Sequence, residues 1–388
     1  MDGHLAGGVG VVTKLTIPES ALTQHSDWYR QPIQDVLDAI VQQQSVYVRT
    51  KSDGQNHGEK LFATELAPNG AGRQYIAEIA KFHRANNLMT TTPDIMGSLC
   101  GNLDQMFDPK HMSGTDLADL GSAKENLMWV FNYNAFRDGA RLVKKHHTPH
   151  DYYCWEKDVE TWGGWKFLEA LGVKTCCYCN AETVFALLLR KKKPGEDRIK
   201  HTAEDYKKSA LDHFFGHEEY PFLGISLYNL IPACTRCNTN FKNAKRMAFG
   251  SITHPYCDHF HDAVKFMPLI QDLSAFYSGA SEAVEVRLER RHSEPIWDND
   301  TDKANAFSDF FHLEDVYNQL YCDDIADTLR RAQLLPKDYV SDLKKNYPGI
   351  QQSVLDRIEW GVSLSPEDIN KHVLSKLTID LVEFCKRH

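Results

Sequence analysis

The sequence predicts an α+β protein that is mainly helical, with a small metal-stapled unit near its centre. Apolar residues recur at helical spacing near the N-terminus and again from residue 301 onward. A run at 282–290 alternates between apolar and polar residues, which is typical of a half-buried strand. Five of the ten cysteines gather in two tight clusters. We therefore expect a mostly helical region at 1–155, a metal-stapled domain at 156–262 and an acidic, mostly helical region at 263–388.

Length and composition exclude several classes of protein. With 388 residues, of which 42% are hydrophobic and 25% charged, the chain can form two or three domains with a real core. It is not a disordered chain, a collagen-like repeat or a coiled coil. No apolar run reaches the ~18 residues of a membrane-spanning helix. The N-terminus lacks the features of a signal peptide, so we expect a cytoplasmic protein without membrane contact.

Charge is distributed unevenly along the chain. The formal net charge of -9 argues against wholesale coating of nucleic acid. Residues 171–250, however, carry 13 Lys and Arg against 8 Asp and Glu, whereas residues 251–388 carry 15 against 24. The middle of the chain is thus a basic island in an acidic protein, and it also contains the cysteine clusters.

Periodicity predicts the elements on either side of this island. Apolar residues from Pro32 onward and over 73–85 predict helices, residues 45–50 predict a short strand, and residues 126–145 predict a third helix. After the strand at 282–290, further helices are predicted at 304–332, 336–345, 351–360 and 366–385. None of these flanking segments carries a catalytic signature.

The two cysteine clusters read Cys176-Cys-Tyr-Cys179 and Cys234-Thr-Arg-Cys237. A large chain without a signal peptide keeps its thiols reduced, so paired Cys-x-x-Cys motifs predict a tetrahedral structural zinc site. Buried cysteines without a metal would not explain two matched spacings, and neither pair stands in the strand-to-helix setting of a redox motif. Cys177 is interpreted as a bystander that could replace Cys176.

Candidate catalytic residues lie between the clusters. Asp212 and His213 stand in an apolar, strand-like run, and after a loop a second strand-like run carries Asn229. The second cysteine cluster follows, then a polar and basic segment at 238–246 that can form a helix. The order is strand, loop, strand, cluster and helix. So small a unit needs its metal staples to hold its shape.

These residues together resemble a known family. Asp212-His213, Asn229-Leu-Ile-Pro232, Cys234-x-x-Cys237-Asn238 and Lys242 are similar to the zinc-stapled HNH nucleases of the His-Me finger (ββα-metal) superfamily. The resemblance covers about residues 176–256, and Asn238 stands where the name-giving motif has a histidine, as in the H-N-N variant. It implies a ββα-metal core and metal-dependent hydrolysis of DNA that leaves 5′-phosphate and 3′-hydroxyl ends. Segments at 220–223 and 254–256 are also similar to HNH proteins of bacterial antiviral defence.

Each candidate residue has a role that suits its chemistry. A neutral imidazole near pH 7 can accept the proton of the attacking water, so His213 is the candidate general base. Asp212 and Asn238 offer two hard oxygens to a catalytic Mg²⁺ or Mn²⁺, although Asp212 points away from His213 unless the strand ends or bends there. Asn229 is expected to brace the loop and to orient His213 by hydrogen bonding.

Basic residues are predicted to bind the phosphates of the nucleic acid. Phosphate contacts by such residues position a substrate without reading its sequence. A solvated charge run is an equally good interpretation of the three consecutive lysines in this set. The candidates are Lys191, Lys192, Lys193, Lys242, Lys245, Arg246 and His254.

The sequence therefore predicts a metal-dependent DNA endonuclease, restrained by a regulatory protein such as an ATPase or by self-association. Two alternatives remain open: a zinc-stabilised nucleic-acid-binding module without catalysis, and an RNA-cleaving toxin with the same motif. Taken one at a time, an Asp-His pair is usually hydrogen-bonded structure, and Asn238 would be a helix N-cap.

Overall fold

The computed structural model describes residues 14–44, 46–48, 70–146, 150–158, 161–189, 206–336 and 338–387. Within these ranges helices predominate and the strands form small sheets, which confirms a mainly helical α+β fold. The chain divides into two compact units. The cysteine unit comprises Met1–Leu15, Val173–Val184 and Pro232–His388, and the histidine unit comprises Thr16–Gly172 and Phe185–Ile231. The units interleave along the chain, whereas the sequence predicts three consecutive regions.

The histidine unit is built on helices that bury one apolar face each. In the longest helix, Tyr29, Ile33 and Leu37 recur at helical spacing and are fully buried. A capping box formed by Ser113 and Asp116 begins the fourth helix. The helices are α1 (Glu19–Val41), α2 (Gly70–Asn86), α3 (Pro93–Met106), α4 (Gly114–Val130), α5 (Tyr133–Arg137) and α6 (Gly164–Leu171).

Strands of the histidine unit form small sheets around these helices. The first sheet has the order β1-β3-β2, with β1 parallel and β2 antiparallel to β3. Its strands are β1 (Tyr47–Val48), β2 (Ala140–Lys145) and β3 (Tyr152–Lys157). Next, β4 (Ala186–Leu188) pairs antiparallel with β5 (Tyr206–Lys208). Finally β6 (Ala210–His213) forms a two-stranded sheet with β7 (Leu230–Ala233).

The cysteine unit places helices around an antiparallel hairpin. Strands β8 (Val264–Ile270) and β9 (Val284–Arg290) pair over their full length. A π-helix, Arg236–Lys242, follows the second cysteine cluster. The α-helices are α7 (Phe260–Ala263), α8 (Leu273–Tyr277), α9 (Asp298–Phe311), α10 (Leu313–Leu320), α11 (Cys322–Leu334), α12 (Tyr339–Asn346), α13 (Gln352–Trp360) and α14 (Ser375–Arg387).

A buried charge network joins α14 to the hairpin. Asp380 on α14 accepts a hydrogen bond from the backbone N–H of Phe266 at 2.8 Å, and it is ion-paired with Lys376 and Arg291. Lys376 also donates to the carbonyl of Val264 at 2.7 Å. Because every charge in this network has a partner of opposite sign or a hydrogen bond, the network fixes how α14 packs on β8.

Four predicted helices are wrong in extent. The segment predicted as one helix at 304–332 forms three helices, α9, α10 and α11, with a left-handed His312 between the first two. The segment predicted at 366–385 begins as a 3₁₀-helix, Pro366–Lys371, before α14.

The other two helices that are wrong in extent lie in the histidine unit. The first begins at Glu19 rather than at Pro32, which lies inside α1. The helix predicted at 126–145 is interrupted: α4 ends at Val130 and the chain continues through α5 into β2. Strand β2 forms because Leu142 and Val143 pair with Trp155 and Cys154 of β3. The strand predicted at 282–290 is confirmed as β9.

No helix within the described ranges is both long enough and apolar enough to cross a lipid bilayer.

Candidate active site and metal centre

The four predicted zinc ligands converge in the cysteine unit. Their sulfur atoms all lie within 4.8 Å of one another, and all four residues are buried. The Sγ atoms of Cys179 and Cys234 are 3.9 Å apart. A tetrahedral zinc site with Zn–S bonds of about 2.3 Å places its sulfurs about 3.8 Å apart. The cluster of Cys176, Cys179, Cys234 and Cys237 could therefore hold a structural metal ion such as zinc.

Local backbone turns present these thiols to one another. The N–H of Asn180 donates to the carbonyl of Cys176 at 2.9 Å, which closes the first turn. In the second turn, the N–H of Cys237 donates to Sγ of Cys234 at 3.5 Å. Burial raises the pKa of the Cys176 thiol. Four buried thiols do not all ionise without a countercharge, and a divalent cation supplies one.

The metal cluster is attached to the helices of the same unit. The hydroxyl of Tyr317 on α10 donates to the carbonyl of Cys179 at 2.6 Å. Tyr321 donates to the carbonyl of Ala181 at 2.7 Å. The side chain of Asn180 donates to the carbonyl of Ile369 at 2.7 Å. Loss of the metal would therefore also disturb the packing of the C-terminal helices.

Cys177 lies outside the cluster. It is half-buried, and its backbone N–H donates to the carbonyl of Pro232 at 3.0 Å. It is not among the four residues whose sulfurs converge. Cys177 is thus the bystander of the first motif, and Cys176 is the candidate ligand.

The histidine unit holds the candidate general base. His213 ends β6 and is only 7% exposed. Its Nε2 lies 2.8 Å from the carbonyl oxygen of Gly224. Because a carbonyl oxygen can only accept, Nε2 carries the proton, and in the neutral ring Nδ1 carries the lone pair. The ring packs against the edge of Tyr133 at a centroid distance of 4.5 Å. This arrangement holds the imidazole in the tautomer that a general base needs.

Asn229 closes the loop between β6 and β7. Its side chain is fully buried, with Oδ1 accepting from the N–H of Phe215 at 2.7 Å. Its Nδ2 donates to the carbonyls of Phe215 and Leu223, each at 3.1 Å. Leu223 immediately precedes Gly224, the partner of His213. Asn229 therefore positions the loop that carries the carbonyl holding His213.

The same loop is also hydrogen-bonded to His25 of helix α1. The carbonyl of Ile225, next to that of Gly224, accepts from Nε2 of His25 at 2.7 Å. Nδ1 of His25 in turn accepts from the indole N–H of Trp162 at 3.0 Å. At Gly224 itself, a Cβ would lie 2.7 Å from the carbonyl oxygen of Phe131, so only glycine fits there. Two consecutive carbonyls of this loop are thus each held by a buried histidine.

His25 is a site residue that the sequence analysis missed. It stands four residues before Tyr29 and eight before Ile33, on the buried face of α1. A histidine at an apolar position of an amphipathic helix was the available signal, because a buried imidazole needs hydrogen-bond partners. Which partners it finds depends on tertiary structure.

The burial of His25 predicts acid sensitivity. Desolvation lowers the pKa of His25 from 6.5 to about 3, against the opposing effect of its hydrogen bond to Ile225. The unfolded chain binds this proton below about pH 6.5, while the folded chain does not. The free energy of unfolding should be highest above that pH and fall as pH decreases, by up to about 1.4 kcal/mol per unit from this residue.

Urea unfolding of the wild type and of His25→Gln at about pH 7 and about pH 5 measures this effect. Glutamine can donate to Ile225 and accept from Trp162 but does not titrate. The wild type should lose more stability on acidification than the variant. Equal losses in the two proteins would contradict the assignment.

The two predicted ligands of the catalytic metal fall in different units. Asp212 precedes His213 in β6 of the histidine unit and is 6% exposed. Asn238 is half-buried in the π-helix of the cysteine unit, where its N–H donates to the carbonyl of Cys234 at 2.9 Å. Their oxygen donors suit Mg²⁺ or Mn²⁺.

The predicted basic helix is shorter than expected. The π-helix ends at Lys242, and Asn243 has a left-handed φ of 46°. Lys242 is only 4% exposed, while Lys245 and Arg246 are exposed beyond the helix end. Lys191, Lys192 and Lys193 lie outside the described residues.

His254 does not suit its predicted role. Its side chain is fully buried, and burial lowers its pKa to about 3. An enclosed and neutral imidazole has neither the access nor the charge for a phosphate contact. The prediction that His254 touches the substrate is therefore wrong, because the tertiary packing that buries it is not visible in the sequence.

No protein-family model matches the chain, and neither curated proteins nor solved structures show a significant similarity to it.

Proposed function

We propose that this protein is a metal-dependent endonuclease of the HNH, ββα-metal type that hydrolyses phosphodiester bonds in DNA. The observation that carries the proposal is the fixed His213 ring, with Nε2 donating to Gly224 and a lone pair on Nδ1. Hydrolysis requires a group that accepts the proton of the attacking water, and a neutral imidazole of defined tautomer does so near pH 7. The strand–loop–strand order around His213 supports the ββα assignment.

The four-cysteine cluster has a structural role in this proposal. Zinc sites with four thiolates have no open position for water, so they stabilise folds rather than activate nucleophiles. Zinc on Cys176, Cys179, Cys234 and Cys237 would fix the start of the π-helix that carries Asn238.

Catalysis would use Asp212 and Asn238 as ligands of Mg²⁺ or Mn²⁺. Asn238 enters the proposal through its place in the sequence motif, and Asp212 through the motif and its position beside His213. When bound, the ion supplies positive charge for the phosphorane transition state and the leaving 3′-oxygen.

The protein's own residues would transfer the proton and position the substrate. His213 accepts the proton of water at Nδ1, and the Gly224 carbonyl stabilises the resulting imidazolium through Nε2. Asn229 keeps that carbonyl in place by closing the loop. Lys245 and Arg246, both exposed, would contact backbone phosphates. By the same resemblance, we place the activity in antiviral defence under the control of a regulatory partner or of self-association.

A plasmid-nicking assay tests the proposal. Wild-type zinc-loaded protein should convert supercoiled DNA to nicked or linear DNA with Mg²⁺, and omission of Mg²⁺ and Mn²⁺ should abolish the reaction. Asp212→Ala should lower the rate at least about a hundredfold, since it removes a ligand beside the base. Glu218→Ala, an exposed acidic residue of the neighbouring loop, is the matched control and should keep wild-type activity.

Three outcomes would contradict the proposal. Full activity without Mg²⁺ and Mn²⁺ would exclude the metal-dependent mechanism. DNA binding without cleavage under any divalent ion would favour the non-catalytic binding module. Cleavage of an RNA substrate with no cleavage of DNA would favour the toxin.

A further inference from the structure

A second polar site lies in the histidine unit, at the N-terminus of α6. It is a pocket of about 60 Å³. None of the predicted site residues lines it. Its walls carry the cationic side chains of Arg137, Lys166 and Lys208, together with Trp165 and one carboxylate, Asp138.

Positive charge dominates the pocket walls. Asp138 is already shared between two cations, with Nε of Arg137 at 3.1 Å and Nζ of Lys157 at 3.8 Å. Nζ of Lys166 lies 4.8 Å from the centre of the Trp165 ring. Three cations thus line the pocket with one carboxylate, although Nζ of Lys166 also lies 3.2 Å from Oε2 of Glu169, which is not part of the lining. An anion is the ligand that such walls attract.

One buried hydrogen-bond donor of the pocket also lacks an acceptor among the described residues. Trp165 is 7% exposed, and its indole N–H has no partner among the residues that the structure describes. A buried donor without an acceptor is costly, and a bound anion would satisfy it. Within the described chain the N-cap of α6, Gly163, supplies no side-chain acceptor to the first turn of the helix. The positive end of the helix therefore points at the same pocket.

Glycines at the N-terminus of α6 allow the neighbouring backbone and the Lys208 side chain to approach the helix closely. Gly163 has a φ of 145°, and a Cβ there would lie 2.5 Å from Cα of Gly139. A Cβ on Gly164 would lie 3.2 Å from Cε of Lys208, so that lysine lies directly against the first turn of α6. Burial is the largest cause that lowers the pKa of Lys208 to about 8; Asp138 opposes this shift, and the nearby cations Arg137, Lys157 and Lys207 contribute to it. An anion in the pocket would offset the cost of this charge.

We propose that this pocket binds a backbone phosphate of the nucleic-acid substrate. A phosphate group matches the pocket in sign, in its number of acceptor oxygens and in its use of helix N-termini. The source of the phosphate rests on the proposed function, whereas the affinity for phosphate follows from the pocket alone.

Two elements connect the pocket to His213. Lys208 lies five residues before His213 along β5 and β6, a span of at most about 17 Å in extended chain. On α5, Arg137 is one helical turn from Tyr133, which packs against the His213 ring. A phosphate held here would thus lie a few nucleotides from the bond that is cut.

Phosphate binding is measured first, on the full zinc-loaded chain without added Mg²⁺ or Mn²⁺, by calorimetry with inorganic phosphate. Lys208→Gln should weaken binding at least about tenfold, because it removes a charge-assisted hydrogen bond. Lys207→Gln is the matched control, since Lys207 is exposed on the opposite face of the same strand and does not line the pocket. Lys208→Arg, which keeps the charge, should bind within about threefold of the wild type.

Oligonucleotide binding is measured next, by fluorescence anisotropy over a range of salt concentrations without added Mg²⁺ or Mn²⁺. Lys208→Gln should lower the affinity for a labelled single strand and reduce the salt slope by about 0.7 to 0.9, the contribution of one phosphate contact. Lys207→Gln should change the affinity less.

The inference is overturned if Lys208→Gln, folded to the same unfolding midpoint as wild type, binds phosphate equally well. It is also overturned if phosphate binding is lost while oligonucleotide affinity and salt slope stay unchanged. If Lys208→Gln loses both phosphate binding and oligonucleotide affinity while the wild type cleaves no DNA with any metal ion, the pocket is supported and the nuclease is refuted. The two proposals can therefore fail separately.

Discussion

Replacing Cys234 by serine should release the metal and unfold the cysteine unit. The four sulfurs lie within 4.8 Å of one another, and the first turn is hydrogen-bonded to Tyr317 and Tyr321 on and beside α10. Structural zinc contributes roughly 10 to 16 kcal/mol in zinc-finger peptides, which is of the order of a whole domain's stability. Serine is a poor ligand of similar size, so most of this contribution should be lost.

Elemental analysis and thermal unfolding measure the effect together. Wild-type protein should carry about one zinc per chain, and Cys234→Ser should carry almost none and lose the cooperative transition of the cysteine unit. Cys177→Ser is the matched control, because Cys177 adjoins a ligand but lies outside the cluster. The Cys177→Ser variant should retain the metal and the thermal unfolding midpoint of the wild type. A Cys234→Ser variant with full zinc content would disprove the cluster as the metal site.

Replacing His213 by alanine should lower the rate of DNA cleavage by about a hundredfold to ten-thousandfold, the usual contribution of a general base. The affinity for DNA should stay near the wild-type value, because the ring is 7% exposed and hydrogen-bonded to Gly224 rather than placed on an open surface. Plasmid nicking under single-turnover conditions with Mg²⁺ measures the rate, and anisotropy without added divalent metal measures the affinity.

His217→Ala is the comparison for this experiment. The His217 ring lies 4.8 Å from that of His213, but its residue is exposed in the loop. We expect a change within about fivefold, because an exposed and unfixed imidazole is poorly placed as a base. Added imidazole should restore part of the activity of His213→Ala. A larger loss in His217→Ala than in His213→Ala would reverse the assignment of the base.

The metal cluster was predictable because its determinants are local. Each Cys-x-x-Cys pair forms a turn of its own, closed by bonds such as that from the N–H of Asn180 to Cys176. Only the meeting of the two pairs requires the fold, and matched spacing already indicates it. The bystander role of Cys177, by contrast, was decided by which sulfurs converge.

The surroundings of His213 were predictable only in part. The sequence indicated a strand ending at His213 and a loop braced by Asn229. It gave no sign that the carbonyl of Gly224 would hold the ring or that His25, nearly two hundred residues earlier, would hold the next carbonyl. Backbone acceptors carry no residue identity, so such contacts leave no pattern in a sequence.

The sequence predictions that differ from the structure share one physical cause. His254 and Lys242 looked like substrate contacts because they are basic, yet both are buried. Residues 140–145 fit a helix pattern but pair with a strand that the pattern could not reveal. Burial and strand pairing each depend on two surfaces that come into contact. The sequence of a segment describes only its own surface and not the one that packs against it.

By itself, the sequence determined the helical class of this protein and the four cysteines of its candidate metal cluster, and it indicated the candidate base. Those features depend on local spacing and on the chemistry of single side chains. Tertiary structure decided the tautomer of His213, the enclosure of His25 and His254, and the pocket that brings Arg137, Lys166 and Lys208 together. Each of these depends on groups that are distant in the chain, because only packing brings a donor to its acceptor or removes a charge from water.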